Sequence, residues 1–448
     1  IDGTRSFPNI GVRFKGNSTY NHPNDKKPFK IDFNRYVSGQ DFDGIKKINL
    51  SNGFKDPSCM REKLFFDFSR TAGVNAPRAN FANLYINGTL WGFYTVVEQI
   101  DDQFLDWAIL DDDGNMFKAG DNFGGGPGGA GTPADLVYYG ATAADYTDRY
   151  ELKTNEVAND WTDFIELLDY INNSSDTEFQ DSIDVYFEKF ELFRGFAIDN
   201  LFGNLDSYTG SARNYYLYHN LTTGRWEWIK WDGNEAFGSY TNGQVTNTLN
   251  VEYHNSDRPL LERIIDNPFF NTNYKNELCD LIDTYFNNTY MDPKIDALYT
   301  LIQPHVYADN NKMYSNTEFD TNISSDITSG GGPGGGSSLY GLKSFITERV
   351  NSVTNQIDCT IYNDLNEVEI DLIQMYPNPA NDEVTLEMTL DAKRVEVRSI
   401  TGQLVFSKAL SGNETSVQLD LSDFSNGVYL VTAYTADNAF TRKLIVED

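Results

Sequence analysis

Two carboxylates and one amide occur where elements of the scaffold are predicted to end. Asp206 follows a helical pattern, Asn214 begins a short predicted strand, and Asp232 ends the next predicted strand. Folds present catalytic groups at strand ends and on loops, and carboxylate and amide oxygens suit a hard cation such as Mg²⁺. The arrangement therefore indicates a metal-assisted reaction. Asp199 with Asn204 is the alternative acid–amide pair, although Asp199 falls within the predicted helix.

A turn near the start of the chain is a candidate for binding phosphate groups. Gly16, Asn17 and Ser18 interrupt two strands predicted between residues 10 and 33. Backbone amides in such a turn can face phosphate oxygens. An ordinary hairpin turn is the alternative interpretation.

The second of these strands contains a lysine that could reach a cleft. In the run KKPFKIDF, a period of two puts Phe29 and Ile31 on one face of the strand and Lys30 on the other. Lys30 is therefore expected to point into a cleft while its neighbours pack. Lys27, or a solvated lysine, is the alternative.

A helix predicted over residues 58–70 could supply an acidic partner for that lysine. Its apolar residues share one face behind a Ser58 cap: Met60, Leu64, Phe65 and Phe68. Glu62 lies opposite this stripe, where it could pair with Lys30 or be solvated.

The remaining patterns predict a mixed α+β body. Asn87-Gly88 predicts a type I′ hairpin between strands near residues 81–97. Helical periods follow over residues 160–204, about 259–286, 293–303 and about 339–357, with short strands at 214–218 and 226–231. Pro293 after Asp292 predicts the start of one helix. Residues 124–133 and 330–336 are glycine-rich and predict loops.

After residue 366 the pattern changes to strands alone. Alternating apolar residues are separated by turn signals, and no helical period persists. We therefore predict a body at residues 1–360, a linker at 361–370 and an all-β antiparallel sandwich at 371–448.

Composition excludes several classes of function. The net charge is −31, with 66 acidic and 35 basic residues, so the surface repels nucleic acid and anionic membranes. No stretch approaches the roughly 20 apolar residues of a membrane helix, and no signal peptide is visible at Ile1. The three cysteines contain no CxxC pair, and we weigh a Cys279–Cys359 disulfide at even odds, with Cys59 as the odd thiol.

Several phrases of the body, taken in order, resemble the CotH family of atypical, protein-kinase-like proteins. They are RFKGNSTY (Arg13–Tyr20), KKPFKIDF (Lys26–Phe33), Asp56-Pro57-Ser58 leading into Arg61-Glu62-Lys63-Leu64, LYINGTLWGFYTVVEQID (Leu84–Asp101), DSYTGSARNYYLY (Asp206–Tyr218), WIKWDGNEAFG (Trp228–Gly238) and GLKSFITERV (Gly341–Val350). Each phrase alone is weak, but the ordered set is specific and spans about residues 5–358. The resemblance implies a two-lobed, kinase-like fold.

The tail resembles a type IX secretion C-terminal sorting domain of the first type. The matching phrases are YPNPA (Tyr376–Ala380), ITGQLVF (Ile400–Phe406), NGVYLV (Asn426–Val431) and TRKLIV (Thr441–Val446). The alternative is another small adhesive β-sandwich. The resemblance implies export by the type IX machinery, acting on residues 371–448, to the outside or outer surface of a Gram-negative bacterium. A signal peptide would then have been cleaved or left out of this numbering.

The kinase-like resemblance implies roles for the candidate residues. Asp206 would be the catalytic Asp, and the metal would be bound by Asn214, Asp232 and Asn234. ATP with Mg²⁺ or Mn²⁺ would be held by the Gly16–Ser18 turn, Lys30 and Glu62, with the backbone of Glu98, Gln99 and Ile100 as the hinge that reads the base.

This chain departs from the family pattern in two places. Asn234 stands where the family has a second acid, with Glu235 as an alternative ligand, and Thr209-Gly210-Ser211 lengthens the spacing from Asp206 to Asn214. The acidic trio together with a strand lysine favours an exported kinase for Ser/Thr of surface or secreted proteins. The Asn234 departure and the scarcity of ATP outside cells favour the alternative, a non-catalytic surface or matrix protein of the same fold.

Overall fold

A computed structural model describes most of the chain, in two compact units, Ile1–Asp358 and Cys359–Asp448. The described residues are 5–16, 18–120, 131–328, 338–360, 373–388, 392–399, 404–411, 414–422, 424–435 and 439–446. Helices and sheets are mixed in the first unit and strands dominate the second, which confirms the α+β prediction.

The first sheet has five strands in the order β1-β2-β3-β5-β4. They are β1 (Gly11–Phe14), β2 (Phe29–Asp32), β3 (Lys47–Ser51), β4 (Ala79–Ile86) and β5 (Thr89–Glu98). Alternation along the strands gives the sheet an apolar face, whose buried centre is Phe33, Ile48, Leu50 and Tyr94. The polar alternates, including Lys30 and Asn49, lie on the other face.

The connection between β1 and β2 differs from the predicted turn. The strands pair antiparallel, with Phe14 opposite Phe29, but residues 15–28 separate them and include a short helix, α1 (Ser18–Asn21). Gly16 precedes that helix with φ +78°, and an added Cβ would lie 2.0 Å from the Thr19 hydroxyl oxygen. A single hairpin turn over Gly16–Ser18 is therefore wrong, and Asn17 falls outside the described residues.

The β4–β5 hairpin confirms the Asn87-Gly88 signal. Both residues have positive φ, 50° and 80°, as a type I′ turn requires. The chain leaves β5 through Gln99 to Asp101 and enters α3 (Asp102–Ala108).

A second sheet and three helices follow. The sheet has the order β7-β6-β8-β9. Its strands are β6 (Met116–Ala119), β7 (Tyr150–Leu152), β8 (Tyr215–Asn220) and β9 (Arg225–Lys230), and the helices between them are α4 (Thr162–Asn173), α5 (Asp176–Tyr186) and α6 (Lys189–Leu201). The helices over residues 160–204 and the two strands after them match the sequence patterns closely.

The rest of the first unit is largely helical. Its elements are α7 (Pro259–Asp266), α8 (Pro268–Thr284), α9 (Asn288–Ala308), α10 (Asn316–Asn322), β10 (Ile327–Thr328), β11 (Ser338–Leu339) and α11 (Leu342–Gln356). Pro293 lies inside α9 and does not begin it. The Asn287 side chain accepts a hydrogen bond from the Tyr290 amide and caps this helix five residues before the predicted start. Most of both glycine-rich segments falls outside the described residues.

Helix α2 (Arg61–Thr71) joins the first sheet to the helical region. It begins three residues later than predicted, and Asp56, not Ser58, accepts the Arg61 amide at 2.9 Å. Phe65 and Phe68 pack edge-on against Phe202 at the end of α6, with ring centroids 5.3 and 4.9 Å apart. These contacts fix α2 relative to the chain that leads to Asp206.

The second unit consists of two antiparallel sheets, with strand orders β12-β13-β16 and β15-β14-β17-β18. The strands are β12 (Ile373–Tyr376), β13 (Glu383–Met388), β14 (Arg394–Ser399), β15 (Leu404–Ala409), β16 (Ser416–Asp420), β17 (Gly427–Tyr434) and β18 (Ala439–Val446). Alternating residues from both sheets share one core, among them Val384, Leu386, Val417 and Val431. The predicted sandwich is present.

Cys279 and Cys359 are disulfide-bonded, and Cys59 is free. This outcome settles the open question about cysteine pairing. In the part of the chain that the structure describes, no helix combines the length and apolar character needed to cross a membrane.

Candidate functional site

A small polar cavity lies where the first sheet, α2 and the segment after β9 meet. Its volume is about 40 Å³, and its lining includes Lys15, Ser51, Glu62, Asp232 and Asn234. We call it the acidic cavity. It brings together four of the predicted site residues, Gly16, Glu62, Asp232 and Asn234, from sequence positions far apart.

Asp232 reaches the acidic cavity because the chain turns sharply after β9. Its backbone is left-handed, with φ 55° and ψ 59°, and a short 3-10 turn, Gly233–Glu235, follows. At Gly233 an added Cβ would lie 2.4 Å from a ring carbon of Phe65 on α2. Only glycine lets the backbone approach the helix this closely, so the Asp232 turn is built against α2.

Glu62 faces the same cavity from the first turn of α2. It is 4% exposed, and its Oε2 has no hydrogen-bond partner among the described atoms. Burial, together with the nearby Asp232 carboxylate, raises the pKa of Glu62 to about 7, while Lys15 opposes the shift. Two carboxylates are therefore held together with one oxygen unsatisfied, an arrangement that a cation would stabilise.

Lys15, and not Lys30, lines the acidic cavity together with Glu62. Its Nζ lies 5.5 Å from the centroid of the Trp231 ring, next to Asp232 in the chain. Sequence reasoning missed Lys15. A signal was present, because it immediately precedes Gly16 and shares the polar face with Arg13.

Lys30 does not pair with Glu62, so the predicted ion pair is wrong. Its Nζ donates to Gln99 Oε1 at 2.7 Å, and it lines a different cleft. Lys30 lies on the polar face of the sheet, as the strand alternation predicted. Its amine contacts Gln99, in the segment that follows β5, and not Glu62. Lys27 is no substitute, because its amine donates to the carbonyls of Tyr20 and His22.

Asp206 and Asn214 are joined by two hydrogen bonds, and neither residue lines the acidic cavity. Asn214 Nδ2 donates to the Asp206 carbonyl at 2.8 Å and to its Oδ2 at 3.0 Å. Ser211, in the lengthened loop, donates from Oγ to Asp206 Oδ1 at 2.8 Å. Tyr215, the first residue of β8, pairs with Lys230, the last residue of β9. Asn214 and Asp232 therefore lie at the same end of two adjacent strands.

Glu235 interacts electrostatically with both Asp206 and Asp232. It is buried, and its Oε2 accepts from Lys55 Nζ at 2.8 Å. Burial, followed by Asp206, raises the pKa of Glu235 to about 7, with a smaller contribution from Asp232 and an opposing one from Lys55. Asn234 lines the acidic cavity and donates from Nδ2 to the Phe54 carbonyl at 3.4 Å.

The alternative pair, Asp199 and Asn204, is structural. Both side chains are buried, and Asp199 accepts from Lys230 Nζ at 2.6 Å and from Asn204 Nδ2 at 3.1 Å. The Asp199–Lys230 pair ties α6 to β9 inside the core. Burial inside the core leaves both side chains without access to a substrate.

The predicted hinge is built from backbone held in place by side chains. The Glu98 carboxylate accepts from Arg78 and from Trp107 Nε1. Gln99 donates from Nε2 to the Ile100 carbonyl at 2.8 Å. The side chains are thus committed to internal contacts, and any recognition of a base here would fall to backbone groups.

The residues of the acidic cavity suit a hard cation. Within the described ranges, no group of three or more His, Cys, Asp and Glu side chains is arranged as a metal site, so amide oxygens would have to complete the ligand set. Glu62, with its unsatisfied buried oxygen, and Asp232 offer carboxylates, and Asn234 offers an amide, whereas Asn214 is not part of the cavity lining. This is the oxygen-rich donor chemistry of Mg²⁺ or Mn²⁺.

Comparisons with known proteins agree with both units. A family model described as CotH kinase protein matches residues 12–329, and one described as a secretion system C-terminal sorting domain matches residues 374–447. The inner spore coat protein H of Bacillus subtilis (strain 168) is 30% identical over 66% of this chain and 77% of its own length.

Two proteins of Rhizopus delemar are more distant relatives. Invasin CotH3 is 23% identical and invasin CotH2 is 21% identical, each over 80% of this chain. The alignments cover 61% of each invasin, so this chain matches less than two thirds of their length.

Proposed function

The chain belongs to the CotH kinase protein family, and from that membership we propose that its first unit transfers the γ-phosphate of ATP to Ser or Thr hydroxyls of surface or extracellular proteins. The observation that carries the proposal is the acidic cavity, where Glu62, Asp232 and Lys15 converge. Phosphoryl transfer depends mainly on positioning and on neutralising charge. A cavity that joins a lysine to the buried Glu62 carboxylate, the half-buried Asp232 carboxylate and an amide oxygen supplies both.

Each residue has a role that follows from its surroundings. Glu62 and Asp232, with the amide oxygen of Asn234, would hold Mg²⁺ or Mn²⁺, which neutralises phosphate charge when bound. Lys15 would bind a phosphate oxygen, in place of the Lys30 that the sequence pattern favoured.

Asp206 is the proposed general base. Asn214 and Ser211 hold its carboxylate in one orientation. Asp206 accepts the proton of the acceptor hydroxyl as that oxygen bonds to the γ-phosphorus. The bond from this phosphorus to the bridging oxygen breaks, and ADP leaves with the electron pair.

One observation favours a second function. Asn234 stands in place of an acid and adds no negative charge to the cavity. With fewer charged ligands the metal would bind more weakly. A non-catalytic surface or matrix protein that keeps the fold is therefore the second candidate.

The tail points to secretion or to the cell surface, because residues 374–447 match a secretion sorting domain. We assign its handling to the type IX secretion machinery. A Gram-negative source, with the kinase-like unit outside the cell, completes the proposal.

Calorimetry of ATP binding tests the proposed site. We expect binding to the intact protein that requires Mg²⁺ or Mn²⁺ and falls at least roughly tenfold in Asp232→Asn, since a charged contact is worth about 1.5–3 kcal/mol. Asp283→Asn, on the exposed surface of α8, is the matched control and should bind as the parent does. Metal-independent binding, or equal binding by Asp232→Asn, would remove the acidic cavity from the nucleotide site.

A further inference from the structure

A second cleft lies on the polar face of the first sheet and is lined mainly by cations. Its volume is about 410 Å³, and we call it the basic cleft. The lining residues are Gly11, Val12, Arg13, Lys30, Asp32, Arg35, Tyr36 and Lys47. Strand register explains the clustering, because Arg13 pairs with Lys30 and Asp32 with Lys47 on neighbouring strands, so all four side chains project from one face.

These cations are poorly supplied with carboxylate partners. The Lys30 amine has one hydrogen bond, to the neutral Gln99 amide at 2.7 Å. Across the described ranges, neither Arg13 nor Arg35 forms an ion pair, and Lys47 pairs with Asp101 at 3.3 Å. Asp32 is the acid of the cleft, and it accepts the Asn34 amide at 3.1 Å.

Like charges face one another across this space. Burial, followed by Arg13, Lys47 and Lys153, lowers the pKa of Lys30 to about 8, against the opposing effect of Asp101. Lys153, which directly follows β7 of the second sheet, lies outside the cleft lining and pairs with Glu151 at 2.9 Å. Repulsion among the lining cations destabilises the empty cleft, and an anion bound between them would relieve it.

The charge of the basic cleft is opposite in sign to the net charge of the chain. The chain carries a net charge of −31, so acidic residues are plentiful elsewhere. A cleft in which one acid faces four lining cations therefore reverses the sign of the overall surface. Such a local field attracts anions out of solution.

We propose that the basic cleft is a binding site for the phosphate groups of a ligand, held by Arg13, Lys30 and Arg35. Arginine suits phosphate through its planar, bidentate donors. The ligand is a phosphorylated molecule other than the nucleotide, because the proposed function places the nucleotide's phosphates at Lys15 and the acidic cavity. The proposal requires binding alone, so it stands independently of phosphoryl transfer, and only the exclusion of the nucleotide rests on the proposed function.

Calorimetry with inorganic tripolyphosphate on the full chain, without divalent metal, tests the site. Arg13→Gln/Lys30→Gln should weaken binding at least roughly 30-fold, since two charge-assisted contacts to the phosphates are lost. Lys46→Gln/Lys294→Gln is the matched control, because both lysines are exposed, lie outside the basic cleft and carry the same total charge. Parent binding should also weaken as salt is raised from 50 to 300 mM, by roughly an order of magnitude.

A competition arm distinguishes the two sources of phosphate. ATP with Mg²⁺ and tripolyphosphate should bind together, because the nucleotide's phosphates occupy the acidic cavity. Displacement of tripolyphosphate by ATP with Mg²⁺ would show that the cleft takes the nucleotide's own phosphates and would overturn the proposal of a separate ligand. Equal tripolyphosphate binding by the two double variants, at matched melting temperature, would overturn the proposal, as would no binding to the parent protein.

Discussion

Replacing Arg61 with methionine should destabilise the first unit through one buried carboxylate. Arg61 is fully buried at the start of α2, and its guanidinium donates to four acceptors: the carbonyls of Ala236, Phe237 and Tyr340 and the Asn322 side chain. Its Nε lies 3.3 Å from Asp56 Oδ1, although Nε makes no hydrogen bond. The contact is thus an ion pair inside the core.

The magnitude follows from what the change leaves behind. Breaking a buried ion pair by removing one partner costs about 3–5 kcal/mol. The first unit spans 358 residues, and roughly 2.1 cal/mol/K per residue gives an unfolding entropy of about 0.75 kcal/mol/K. A loss of about 4 kcal/mol should therefore lower the melting temperature by roughly 5 °C.

Calorimetric melting of three variants isolates the charge. Arg349 is also fully buried, and it donates only to neutral acceptors of Asn200 and Leu249. Arg349→Met should therefore cost less than Arg61→Met. Asp56→Asn/Arg61→Met should recover about 1 kcal/mol or more relative to Arg61→Met, because no unpaired carboxylate remains. A double variant that is no more stable than Arg61→Met would refute this reasoning.

Three further predictions concern the site, a pH effect and the tail. Lys15→Gln should reduce ATP turnover at least roughly tenfold in a coupled ADP assay while the melting temperature changes by no more than about 1 °C, since Lys15 makes no ion pair within the described ranges; unchanged turnover would exclude Lys15. Burial and Glu227 raise the pKa of Glu191 from 4.5 to about 8, so the parent loses stability as pH rises from about 4.5 to 8. Urea unfolding should show Glu191→Gln gaining on the parent over that range, and a constant difference would contradict the shift. A chain ending after Asn366 should remain in the cell yet keep the melting temperature of its first unit, and normal secretion of it would refute the sorting role.

Patterns confined to neighbouring residues were sufficient for much of the fold. The Asn87-Gly88 turn and the alternating strands of the second unit carry their information locally, because turn type and period-two burial depend on a few adjacent residues. Helix boundaries were less predictable. Both Asn287 and Pro293 are possible starts for α9. A proline is accepted near the beginning of a helix, so Pro293 looks like the first residue from the sequence alone, although Asn287 caps the helix.

The pairing of the lysines required the tertiary structure. Lys15 and Lys30 both occupy the polar face of the first sheet, so alternation alone does not decide which one meets Glu62. Which lysine lies beside Glu62 depends on the path of the connection between β1 and β2 and on the position of α2. Contacts at Phe65, Phe68 and Gly233 fix that position. β3, β6 and β7 were missed because each is only three to five residues long.

Transfer of labelled phosphate tests the central claim most directly. The purified protein should move label from γ-labelled ATP, and not from α-labelled ATP, onto Ser or Thr of an acidic protein acceptor such as casein. Transfer should need Mg²⁺ or Mn²⁺, and both Asp206→Asn and Asp232→Asn should reduce it at least roughly 100-fold, as expected for loss of general-base catalysis or of the metal. Transfer that persists in both variants, or no transfer by the parent with any metal and acceptor, would contradict the account and leave the non-catalytic surface protein as its replacement.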